Sequence, residues 1–226
     1  MKTLTIRGLA LCLAVMFSMA PLIRAQDLSK YRGFSFGMSP AAVLKQTDMK
    51  LAAVKTLHSQ PALIQELTWW LPMLPGNSYQ ADSVREILFT FCNGQLYKMS
   101  ATYDRSAIEG LTTEDLVQSI TAKYGPPIKP PADADALKSG PQGPEVKVAA
   151  HWQDAQYSLS LNRSYLANGF TLVMYSLQAN AAADEAIAKA VTLEEQQGPQ
   201  KEAEREKKEE ADLAAARVKN IQNFQP

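Results

Sequence analysis

Residues 84–104, VREILFTFCNGQLYKMSATYD, hold two strand-like runs joined by Asn93-Gly94. That dipeptide suits the positive φ angles of a tight turn, so the stretch predicts a β-hairpin around which the rest of the chain is arranged. Parity then selects a register. A two-residue Asn93-Gly94 loop pairs Phe91 with Leu96 and Phe89 with Lys98, which sets a charge into an aromatic face. A three-residue loop of Cys92, Asn93 and Gly94, with Gly94 left-handed in a bulge, gathers Ile87, Phe89 and Phe91 with Tyr97, Met99, Ala101 and Tyr103. Glu86, Thr90, Lys98, Ser100 and Thr102 then line a wet opposite face, and Cys92 becomes a reachable turn residue.

The flanking sequence supplies partners for this hairpin. Ser39 caps and Pro40 opens a short helix predicted over residues 40–47. Residues 62–71 alternate as a strand, with Leu63, Leu67, Trp69 and Leu71 on one face and Glu66, Thr68 and Trp70 on the other. A loop with Pro72, Pro75, Gly76 and Asn77 follows. Residues 111–125 read as the clearest helix, with Thr112 as cap, Asp115 at the third position, Leu111 stapling Leu116, and an apolar stripe of Leu116, Val117, Ile120 and Tyr124 that would cover the hairpin. After a Pro-rich loop at 126–145, Val146, Val148, Ala150 and Trp152 alternate with polar positions. Tyr157, Leu159 and Leu161 do the same beyond an Asp154-Ala155 turn, and residues 170–177 are apolar on both sides, as in an interior strand.

The expected architecture is α+β, an antiparallel sheet with helices packed on one face, readable as two similar halves, followed by a C-terminal helical tail. Its divisions are a signal peptide at 1–25, a domain at 26–180 with halves at about 30–104 and 111–178, and a charged tail at 181–226. In the tail, Ala183, Ile187, Ala190 and Val191 form a narrow docking stripe on a helix ending near Gly198-Pro199. Beyond it, KEAEREKKEEADLAAARVK has little apolar face. It reads either as a solvated helix or as a partner-binding or oligomerising one, through Leu213, Ala214 and Val218.

The amino terminus gives the address. Lys2 and Arg7 precede an apolar run at 8–20, and Ile23-Arg24-Ala25 offers a cleavage point ahead of Gln26, the pattern of a secretory signal peptide. The apolar run is shorter than the roughly 20 residues that span a bilayer, which argues against an uncleaved anchor and leaves no stable membrane span after cleavage. The expected location is secreted or periplasmic. Cleavage removes three of the 23 basic side chains and none of the 23 acidic ones, a net charge of −3 that offers no footprint for nucleic acid. Of the two cysteines only Cys92 remains, so the exported protein is held by its core rather than by an internal disulfide. The sequence leaves open whether Cys92 pairs between chains, and which oligomeric state the protein adopts.

Chemistry-bearing patterns are sparse. The histidines are His58, in an expected loop, and His151, on the polar face of a strand, both read as surface residues. HExxH, CxxC and the phosphate-cradling glycine motifs are not present in the sequence, and the G-x-S-x-G letters at residues 33–37 are not read as a nucleophile elbow, so no catalytic, cofactor-binding or metal-binding residue is assigned, and no cofactor. Gly33 and Gly37 read as turn glycines. The Asn162-Arg163-Ser164 sequon bears meaning only in a host that glycosylates. The candidate binding surface is Trp70, Tyr79 and His151, since exposed aromatics serve recognition. The bland alternative for Trp70 is a second buried layer under the tail helix.

Phe36-Gly37-Met38-Ser39 leading into a helix through Val43, then Leu88-Phe89-x-Phe91-x-Asn93-Gly94-x-Leu96, resembles the exported helix-plus-sheet domains of the SmpA/OmlA and β-lactamase inhibitor protein type. The helix at 113–124 with Gly125-x-Pro127 and three strands resembles a second copy. The chain as a whole is similar to uncharacterised secreted bacterial proteins with a KKEE-type tail. The lipobox cysteine is absent, so membrane anchoring does not carry over, and no functional residues do. The resemblance implies a non-enzymatic module that binds other proteins of the cell envelope. Two rival expectations are a hydrolase centred on His151 and a structural oligomer formed through the tail.

Overall fold

Backbone chemistry starts the first two helices where the sequence signals them. In the computed structural model, which describes residues 27–71, 82–129, 146–164 and 169–223, helix α1 (Pro40–Thr47) begins after Ser39, whose hydroxyl accepts from the Ala42 amide. Helix α2 (Thr113–Tyr124) begins with a reciprocal capping box. Thr112 Oγ1 accepts from the Asp115 amide at 3.2 Å while Asp115 Oδ2 accepts from the Thr112 amide at 2.8 Å. Gly125, at φ 79°, ends it. The expected staple residue Leu111 stays 49% exposed, because the capping box already fixes the chain's entry.

A small hairpin, β1 (Lys30–Tyr31) with β2 (Phe34–Ser35), precedes α1, and a 3-10 turn, Leu51–Ala53, follows it. The main sheet comprises β3 (Lys55–His58), β4 (Ile64–Trp70), β5 (Val84–Cys92), β6 (Gln95–Tyr103), β7 (Val146–Gln153), β8 (Tyr157–Ser164) and β9 (Gly169–Ser176). All pairings are antiparallel, in the spatial order β3-β4-β5-β6-β9-β8-β7. His58 therefore sits on an edge strand rather than in a loop. Its Nδ1 lies 3.0 Å from Glu194 Oε1.

The hairpin departs from the expected register. Cys92 pairs with Gln95, and Asn93 and Gly94 both have positive φ, 49° and 77°, so the loop has two residues. The extra residue that parity demands sits in β6 instead. The ladder slips between Phe91↔Leu96 and Thr90↔Lys98, and Tyr97 occupies the bulge. Lys98 still points away from the core, as expected, but Tyr97 does not join the phenylalanine face. It is buried on the other side with Ile64 and Ala183. Cys92 is likewise the last residue of a strand, half buried beside that cluster, and burial raises its thiol pKa.

The core lies on one face of the sheet. One continuous row runs Leu67-Phe89-Met99-Met174-Leu159-Trp152, and the next runs Trp69-Ile87-Ala101-Leu172-Leu161-Ala150. Helices α1 and α2 cover these rows through Val43, Leu44, Leu116 and Ile120, α2 resting mainly on β7 rather than on the hairpin. Fully burying each large side chain stabilises the fold by roughly 1.5–3 kcal/mol. A half-turn about an axis between β6 and β9 exchanges the two rows, carrying Trp69, Ile87 and Ala101 onto Trp152, Leu159 and Met174. The protein is thus α+β with two topologically similar halves, each a helix followed by an antiparallel meander.

Helix α3 (Leu177–Asn223) leaves β9 directly. It starts three residues before the expected cap, Asn180, whose side chain instead donates to Asp184 at 2.7 Å. Ala183 and Ala190 are buried and Ile187 half buried, whereas Val191, expected in the same stripe, is exposed. The helix does not stop at Gly198-Pro199 but continues through Pro199. Pro199 is solvent-exposed, so water can satisfy the carbonyl that loses its donor. Over residues 200–223 the described side chains are all exposed, an arm of about 36 Å at 1.5 Å per residue.

Candidate functional site

The second face of the sheet carries three rows fixed by strand register. Nearest α3 lie Glu66, Thr90, Lys98, Tyr175, Ser158 and Gln153. Next come Thr68, Leu88, Ser100, Val173, Ser160 and His151, and then Trp70, Glu86, Thr102, Thr171, Asn162 and Val148. Helix α3 crosses this face at the end bearing Ile64 and Tyr97. Beyond it, Thr68, Leu88, Ser100, Thr102, Val173 and Thr171 remain half exposed. The face is rich in hydroxyls and poor in charge, a composition that hydrogen-bonds a partner without a large desolvation cost.

Two of the three expected surface residues share this face. Trp70 on β4 and His151 on β7 stand five strand spacings apart, about 24 Å along the sheet. Trp70 is 60% exposed, so it is not covered by the tail helix. His151, expected at the surface, is instead 5% exposed. Its Nε2 lies 3.2 Å from Gln153 Oε1, and its backbone carbonyl accepts from the Ile128 amide at 2.7 Å. Alternation along a strand shows which face a side chain takes but not what lies over it. Tyr79 falls outside the described residues, as do the signal sequence and most of the Pro-rich loop.

At the end of the sheet marked by Trp70 lies a cleft of about 950 Å³ that the sequence did not announce. Its walls include Arg85 from β5, Asp104, Arg105 and Ser106 from the loop after β6, Thr113 from α2, and Arg163 from β8. Pairing of β6 with β9 and β9 with β8 brings these separated arginines together, and nothing in their spacing reveals it. Arg85 holds its guanidinium 5.7 Å from the Trp70 ring centroid and donates to Glu86 Oε1 at 3.3 Å. Arg163 lies 5.6 Å over Phe170 and donates to Thr113 Oγ1 at 3.4 Å. Asp104 turns its carboxylate into its own loop, accepting from Ser106 and from the Ala107 amide. The Ser106 hydroxyl bond is the main reason its pKa falls below the usual carboxylate value. The one sequence signal here is Asp104-Arg105-Ser106, an Asx-type turn directly after a strand.

Among the described residues, no group of three or more His, Cys, Asp or Glu side chains is placed to hold a metal ion, and no helix is long and apolar enough to cross a membrane. Ser158 Oγ and Asn162 Oδ1 are buried on β8 without a hydrogen-bond partner. Comparison with protein-family models, with curated proteins and with solved structures yields no match.

Proposed function

We propose that the protein is an exported, non-enzymatic module of the bacterial cell envelope, secreted or periplasmic, that binds another protein through the second face of its sheet. The observation that carries this reading is the half-exposed, charge-poor face ending at the exposed Trp70. Aromatic anchors surrounded by neutral polar groups are the usual anatomy of a recognition surface. Catalysis centred on His151 has no comparable support, because its ring is buried and bonded to an amide rather than to an acid.

The test is co-purification from envelope extracts. Wild-type protein is expected to recover a discrete partner. Ser100→Arg with Val173→Arg should lose it while circular dichroism stays native, and Gln118→Arg on α2 should retain it. Recovery of no partner by the wild type, or equal recovery by the face variant, contradicts the reading.

A further inference from the structure

We infer that the distal arm of α3 pairs with the same arm of a second copy of this chain, antiparallel, with Leu213 of one opposite Ala214 of the other. This surface is separate from the sheet face proposed to bind a partner, so either can exist without the other. The charge along the arm selects both the occupant and its direction. Residues 204–213 carry five acidic and three basic side chains, a net charge of −2, whereas residues 214–223 carry Arg217 and Lys219 and no acid, a net charge of +2. Two arms laid in the same direction set like-charged halves together. Reversed, each acidic half meets a basic half. A second copy therefore supplies the complement that the arm needs.

The side chains on one face agree with that arrangement. Glu210, Leu213, Arg217 and Ile221 recur at spacings of three and four, so they share a stripe of the helix. Leu213, Arg217 and Ile221 also border one shallow groove with Ala216 and Asn220. Leu213 is 71% exposed and Ile221 65%, so both have apolar area left to bury. With Leu213 opposite Ala214, Glu210 of each copy falls opposite Arg217 of the other. Arg205 is engaged within its own arm by Glu202 and Glu209, whereas Glu210 and Arg217 have no ion pair among the described residues. Charges set into such a seam add little affinity but fix register and direction. The domain leaves room, since residue 204 lies about 15 Å beyond Glu194, where α3 meets His58 on β3. The apolar area is small, so the association is weak, with Kd on the order of 0.1 mM.

The test is sedimentation equilibrium of the exported protein from about 10 µM to about 1 mM, a range that brackets this Kd. A monomer–dimer equilibrium is expected, weakening with added salt. Glu210→Arg and Arg217→Glu should each weaken it by about tenfold, and the two together in one chain should restore it to within about threefold, with circular dichroism unchanged throughout. Ser100→Arg with Val173→Arg, which leaves the arm intact, should dimerise like the wild type. A monomer at every concentration, single reversals that leave the dimer as tight as before, or a double variant no tighter than the singles overturns the inference. Parallel arms already oppose like charges at both positions, so they would give the second of these results.

Discussion

Trp69 and Trp152 occupy equivalent places in the two halves of the sheet, yet they are used differently. Trp152 is 2% exposed, and its Nε1 donates to the Gly125 carbonyl at 2.8 Å, which ties β7 to the end of α2. Trp69 is only partly buried, edge-on to Phe34 at 5.8 Å, and the next residue, Trp70, is exposed. The second half is thus sealed at the point where the first half opens. The same framework serves stability on one side and presents an aromatic surface on the other.

Substitution at the equivalent positions gives the sharpest contrast. Trp152→Ala is expected to cost about 3–5 kcal/mol, as for truncation of a large buried aromatic, read from denaturant midpoints at constant m-value. Trp69→Ala should cost about 1–3 kcal/mol, since part of its ring is already in water. Trp70→Ala should fall within about 0.5 kcal/mol of wild type. Equal losses at Trp69 and Trp152 would break the comparison.

Smaller effects probe contacts within each half and the arm. Asn93 has φ 49°, accepts from the Leu63 amide at 3.0 Å and donates its own amide to the Leu63 carbonyl at 2.8 Å. Asn93→Ala keeps the backbone bond, loses the side-chain one and strains the left-handed position, a cost of about 1–2 kcal/mol in the same assay. Burial pushes the phenols of Tyr97, in the first half, and Tyr124, in the second, up to about 12 from 10.0. A raised phenol pKa stabilises the fold fully below the unfolded value, and that contribution is lost as pH climbs toward the folded one. Stability should therefore fall between pH 10 and about 12, and Tyr97→Phe should flatten part of the slope, as followed by tyrosinate absorbance. Deleting residues 200–226 should change stability by less than about 0.5 kcal/mol, because the described side chains of the arm touch water. A larger loss would show that the arm belongs to the folded domain.

The readable part of this fold was its local chemistry. Ser39-Pro40 and Thr112 with Asp115 each fix backbone groups within a few residues, and the structure uses both as their side chains dictate, whereas Asn93-Gly94 marks the hairpin turn but forms a two-residue loop where parity predicted three. The face of Trp70 was also readable, because its parity sets it opposite Trp69, but its exposure was not, since parity does not show whether the tail helix covers it. Tyr97 was not. Adjacent apolar residues Leu96 and Tyr97 require that one leave the core face, but only the docking of Ala183 on α3 supplies a second apolar surface to receive it. Pro199 and His151 misled for related reasons, since solvent relaxes the penalty at one and tertiary contacts bury the other. The arginine cleft is assembled wholly by strand order.

The most direct measurement of the central claim is a photo-cross-linking scan in envelope extracts, with the reactive residue placed in turn at Ser100, Thr102 and Thr171 on the second sheet face, and at Lys45 on α1 and Gln118 on α2. The account predicts adducts of one common mass from the three sheet positions and none from the helices. Adducts confined to the helices would contradict it.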